Sequence, residues 1–96
     1  MSRHANFKFR LYIAGQAPNS TRAAASLGAL CREHLLGSHE IEVVDVFREP
    51  RRALADGIFM TPTLVKLAPA PVRRIVGTLS QTETVLVALG LDAVAV

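Results

Sequence analysis

Residues 7–22 read Phe-Lys-Phe-Arg-Leu-Tyr-Ile-Ala-Gly-Gln-Ala-Pro-Asn-Ser-Thr-Arg, and how that stretch divides decides the fold. Phe7, Phe9, Leu11 and Ile13 alternate with Lys8, Arg10 and Tyr12. A period of two with one apolar set is the pattern of a strand whose faces differ. Gly15 ends the run, and an alanine-rich segment with helical spacing begins after Pro18 and Asn19. The stretch therefore predicts a strand, a short loop and a helix start. In α/β domains such a junction often carries a ligand or a nucleophile, because it lies at the carboxyl end of a strand beside the free N–H groups of a helix. Here it is chemically bare, without cysteine, histidine or carboxylate.

Working outward, the spacing predicts a first helix over Ser20–Leu36, with Asn19 or Ser20 as cap and Gly37 as terminator. Ala23, Ala24, Leu27, Leu30, Cys31 and Leu35 form its apolar stripe, and Arg22, Ser26, Arg32 and Glu33 lie outside it. Ile41–Phe47 reads as a valine-rich strand, internal to the sheet and covered by helices. Pro50 opens a short helix over Glu49–Asp56 that Gly57 stops. Thr61–Leu67 is a strand entered through Pro62, a position proline tolerates because it is a strand start. After the turn Ala68-Pro69-Ala70-Pro71, Val72–Val76 gives another strand closed by Gly77, and so short a link makes the pair an antiparallel hairpin. Ser80 and Glu83 have capping-box spacing before a helix over Gln81–Leu89 that ends at Gly90. The run Val85-Leu86-Val87-Ala88-Leu89 also has a composition acceptable in a strand. The order strand, helix, strand, helix, strand, strand, helix predicts an α/β fold, a mixed sheet with helices on both faces, as a single domain over residues 1–96.

The 96 residues are half apolar and carry a formal charge of +3, from nine arginines and two lysines against eight acids. No apolar run approaches a bilayer span, and Arg3 with its polar neighbours does not begin a secretion signal, so the expected location is cytoplasmic. The single cysteine excludes an internal disulfide and a Cys-x-x-Cys couple, and its place in a helical stripe predicts a buried core thiol. His4, His34 and His39 have no i,i+4 pairing, which argues against a metal site. Ser20 lacks a neighbouring base, and Gly15 stands alone rather than in a phosphate-binding loop. With Tyr12 as the one tyrosine and no tryptophan, the stacking aromatics of a nucleic-acid surface are missing. No catalytic residue, cofactor or metal is assigned.

The arginines remain. Arg73 and Arg74 are adjacent in a strand and point to opposite faces, so at least one reaches solvent or an interface. Arg48, Arg51 and Arg52 crowd the start of the short helix, where the dipole disfavours positive charge. Guanidinium forks suit carboxylates and phosphates, so an acidic protein surface or a nucleotide-bearing partner fits the charge as well as nucleic acid does, and charge alone does not choose between them.

Leu11-Tyr12-Ile13-Ala14-Gly15, Pro18-Asn19-Ser20, Thr61-Pro62-Thr63-Leu64 and Pro71-Val72-Arg73-Arg74-Ile75-Val76-Gly77 with Leu79-Ser80 resemble, in order, the successive motifs of the KaiB family of clock proteins. The resemblance implies a thioredoxin-like βαβαββα fold, with an alternative ground-state fold of the carboxyl-terminal half. It implies a non-catalytic protein that binds a hexameric KaiC-type ATPase, with a KaiA-like protein or a sensor histidine kinase as further partners and a tetramer or dimer as assembly. Nucleic acid and membrane are not among its partners. Where thioredoxin has its cysteine pair this chain has Gln16-Ala17-Pro18-Asn19-Ser20, and Thr61-Pro62 resembles the threonine and cis-proline motif that faces that site. The residues assigned to partner contact are Arg73, Arg74, Lys66 and Arg22, with Lys66 facing outward before the hairpin turn. Gly15, Asn19, Thr61, Pro62, Ser80 and Glu83 are assigned structural roles. Gly57 stands where the family often has lysine, and Ala88-Leu89-Gly90-Leu91 where it tends to Gly-Leu-Asp-Leu. Two other readings are an adaptor in stress signalling and a thioredoxin-like glutathione-binding protein, with backbone groups at Thr61-Pro62 holding the peptide. A purely structural oligomer or sensor-domain fragment is a third.

Overall fold

The computed structural model describes residues 7–35 and 39–90. Seven elements follow in the expected order: β1 (Phe7–Ile13), α1 (Pro18–His34), β2 (His39–Asp45), α2 (Pro50–Ala55), β3 (Thr63–Ala68), β4 (Arg73–Val76) and α3 (Thr82–Leu89). The strands form one sheet in the order β2-β1-β3-β4. β1 runs parallel to β2 and antiparallel to β3, and β3 and β4 form the antiparallel hairpin.

Register sorts the side chains into two layers. Phe9 lies opposite Ile41 and Leu11 opposite Val43 on β2, Leu11 opposite Leu64 on β3, and Leu64 opposite Ile75 on β4. Alternation puts all of these on one face. There Phe9, Leu11 and Leu64 pack with Ala23, Leu27, Leu30 and Cys31 of α1 and with Leu79, Val85 and Leu89. The opposite face holds a smaller core of Tyr12, Val44 and Val65 under Ala53 of α2 and Ile58. Helices thus cover both faces, as the periodicity predicts.

Several local expectations need correction. α1 starts two residues earlier than the periodicity suggests, because Pro18 takes the first helical position, where its missing N–H costs nothing. Ala17 is therefore the cap, and neither Asn19 nor Ser20 caps with its side chain. Ser20 is instead buried and accepts a hydrogen bond from the Ala14 N–H at 3.1 Å, which ties the end of β1 to the helix. Ala24 is exposed, one position off the stripe. Gly37 lies outside the described residues.

β2 is an edge strand and not an internal one: β3 occupies the other side of β1, and no strand among the described residues adds beyond β2. Val44 is its one buried residue, while Ile41 and Val43 stay exposed beyond the reach of the α1–α3 layer. Ser80 and Glu83 do not form a capping box. α3 begins at Thr82 with Gln81 as cap, so Glu83 falls one position short of the site from which it would reach back. The Ser80 hydroxyl lies 3.1 Å from that of Thr78 instead. The helical reading of Val85–Leu89 holds in this state, and Gly90 closes α3 in the left-handed region at φ 78°. The Thr61–Pro62 bond is cis, as are Ala68–Pro69 and Ala70–Pro71.

Candidate docking surface

At the carboxyl end of the parallel pair, Gly15 sits at φ +56°, and a Cβ there would come within 3.4 Å of the Phe47 ring. The positive φ selects glycine, while the ring is at ordinary contact distance. Asp45, the last residue of β2, accepts hydrogen bonds from the N–H of Gly15 at 3.1 Å and of Phe47 at 2.9 Å. One carboxylate therefore locks the two loops together. Gln16, Ala17, Pro18 and Asn19 are exposed on top of this turn, with no thiol among them. Cys31 is buried in the core, where burial pushes its thiol up to about 11 against the opposing pull of Arg32. Such a thiol is not a nucleophile at neutral pH. Among the described residues no His, Cys, Asp or Glu group could hold a metal ion, and no helix is long and apolar enough to cross a membrane.

The four basic residues assigned to partner contact do not form one patch. Arg73 is exposed on β4 on the α1–α3 side, opposite Lys66 in the hairpin register. Arg74 points the other way, and its guanidinium donates to the backbone carbonyls of Gly57, at 3.3 Å, and Asp56. These are carbonyls at the end of α2, so Arg74 fastens that helix to the hairpin. Arg22 is exposed near the start of α1.

Lys66 faces inward. It is 3% exposed, beside Phe9 on the strand pair, and burial lowers its pKa with a further push from Arg73. The position just before a hairpin turn suggested solvent, but the strand alternation that buries Leu64 also turns Lys66 into the α1–α3 layer.

A second polar constellation was not visible in the sequence. Asp56 accepts hydrogen bonds from the buried Tyr12 hydroxyl and from Arg10 Nη1 at 3.1 Å. Arg10 Nε also pairs with Glu42 at 2.9 Å, and Arg52 bridges Glu42 at 2.8 Å and Glu49 at 3.3 Å. The hydrogen bonds from Arg52 and then Arg10 hold the Glu42 carboxyl down at about 2. These groups come from β1, β2, α2 and the two residues that flank α2, so no local spacing announces them. Asp45 did have a sequence signal, since an aspartate two residues before Phe47 can form an Asx-turn with its N–H.

This sheet order, with Gln16–Ser20 standing where a thiol pair would act, defines a thioredoxin-like protein without the groups for thiol–disulfide exchange. The N-terminal domain of Synechococcus elongatus SasA superposes with a TM-score of 0.77 at 16% identity, over 100% of this chain and 90% of that one. Chloroplastic thioredoxin z does so at 0.74 and 19% identity, over 92% and 80%. At such identities these likenesses show the fold alone.

A family model described as the KaiB domain matches residues 10–91, and the chain belongs to the KaiB family. It is 44% identical over 91 residues to the circadian clock oscillator protein KaiB of Synechococcus sp. (strain RCC307), covering 95% of this chain and 83% of that one. It is likewise 44% identical over 85 residues to the KaiB of Thermosynechococcus vestitus, covering 88% and 79%.

Proposed function

We propose that this chain is a non-catalytic clock component that docks on a hexameric KaiC-type ATPase and modulates its phosphorylation cycle. The match to the KaiB domain over residues 10–91 is the observation that carries the reading. A reagentless surface agrees with it: the turn at Gln16–Asn19 offers no reactive side chain, while the hairpin edge offers exposed cations and apolar groups. The same reading makes it a cytoplasmic single domain that forms a dimer or tetramer. It engages a KaiA-like protein or a sensor histidine kinase as a further partner, and its carboxyl-terminal half switches fold. The ambivalent Val85–Leu89 run supports the switch, since a bistable element needs two packings of similar free energy.

The test is capture of a KaiC-type ATPase with and without nucleotide, repeated with Arg73→Ala and Arg74→Ala. Weakened capture by Arg73→Ala with the fold intact is expected. Arg74→Ala should also shift the backbone amide signals of residues 56–58, because it releases the end of α2. No capture in either nucleotide state overturns the reading.

A further inference from the structure

Beside the Arg74 clamp, large apolar side chains stand together in solvent. Phe59 is 88% exposed, Met60 63% and Val76 53%, and together with Gly57, Thr63 and Arg74 they line one depression where the loop after α2 meets the edge strand β4. Exposing such groups together is costly in water and marks an interaction site when the rim is polar. The rim here is positive. Arg74 spends its donors on neutral carbonyls, so no carboxylate among the described residues pairs with it. The nearby carboxylate, Asp56, is already held by Arg10 and Tyr12.

We infer that this depression is where the chain is gripped by its protein partner, and that the partner segment presents an apolar side chain within a position or two of a carboxylate. The apolar group fills the space between Phe59, Met60 and Val76, and the carboxylate meets the positive rim. Arg74 is a positioning residue as well as a source of charge: with its guanidinium on two carbonyls of the 56–57 turn, it fixes the loop from which Phe59 projects. Gly57 lets the chain turn here, because its φ of +68° suits glycine.

The inference rests on the docking reading above, and the following experiment separates the two. Affinity for a KaiC-type ATPase is measured for the unaltered chain and for Phe59→Ser, Met60→Ser, Phe59→Glu, Phe59→Lys and, as an apolar loss elsewhere, Val43→Ser on β2, the strand at the opposite edge of the sheet from β4. Amide spectra confirm that each variant keeps the fold, which so exposed a position allows. Phe59→Ser should weaken binding about tenfold or more, as an anchor residue does, Met60→Ser less, and Val43→Ser should stay within twofold of the unaltered chain. Phe59→Glu should lose more than Phe59→Lys, since the partner is acidic. Binding by Phe59→Ser and Met60→Ser within twofold of the unaltered chain overturns the site while leaving the docking reading in place. Lysine losing as much as glutamate overturns the acidic partner. No binding by the unaltered chain overturns both.

Discussion

The two faces of the sheet are held by different physics. On the α1–α3 face a continuous apolar layer runs from Phe9 through Leu27 and Leu64 to Leu89, and its non-directional burial tolerates no large void. On the α2 face a helix of six residues covers a small core, and position comes from directed bonds: Tyr12 and Arg10 onto Asp56, and Arg74 onto the helix end. A face made by packing is legible as periodicity. A face made by bonds between distant residues is not. The sharpest way to break the contrast is to remove one group from each. Leu64→Ala, at a fully buried central position, should cost about 2–5 kcal/mol in urea unfolding. Asp56→Ala should cost less, about 1–3 kcal/mol, because it strands the buried Tyr12 hydroxyl rather than opening a cavity. A double-mutant cycle with Tyr12→Phe should show the two losses to be coupled, and additivity would remove the bond from the account.

Lys66 is the exception that sharpens the comparison, a cation turned into the packed face. Lys66→Met should stabilise this fold by about 1 kcal/mol, since the stem keeps its packing and the desolvated ammonium is gone. Its pKa is lowered in the folded chain, so the folded state gives up the proton before the unfolded one does. Stability of the unaltered chain therefore rises with pH from the lowered value towards the ordinary lysine value, and the gap to Lys66→Met narrows over that interval. A gap that stays constant to high pH would mean the ammonium is solvated.

That division also explains what the sequence disclosed. The element order, the hairpin and the buried stripe Ala23, Leu27, Leu30 and Cys31 followed from period and from turn residues, because each is local. The sequence reads β2 as internal because valine content reports strand propensity, whereas the number of neighbours a strand has is set by topology. Opposite orientations of Arg73 and Arg74 were legible from alternation, but the work each does was not. Arg74 finds its acceptors seventeen and eighteen residues away in sequence, at carbonyls that exist as free acceptors only because α2 ends there. Phe59 and Met60 carried no motif. An apolar residue in a sequence reads as core until the fold shows nothing covering it.

The smallest expected effect tests whether the ionic chain on the α2 face adds anything to the Tyr12–Asp56 bond. Glu42 joins Arg10 and Arg52 in partly solvated pairs, whose worth is modest and falls with salt. Its folded pKa, about 2, lies below the ordinary glutamate value, so the pairs stabilise the fold above that ordinary value and release it as pH falls from there towards 2. Glu42→Gln should therefore lower the urea midpoint slightly at pH 7 and flatten its decline in acid, with both differences shrinking at high salt. Identical midpoints for the two chains at pH 7 and pH 3 in low salt would show that Arg10 and Arg52 gain nothing from Glu42. The α2 face would then be held by its hydrogen bonds to Asp56 and by Arg74, and the contrast between the faces would be one of apolar packing against hydrogen bonds at one carboxylate and at the carbonyls that Arg74 meets.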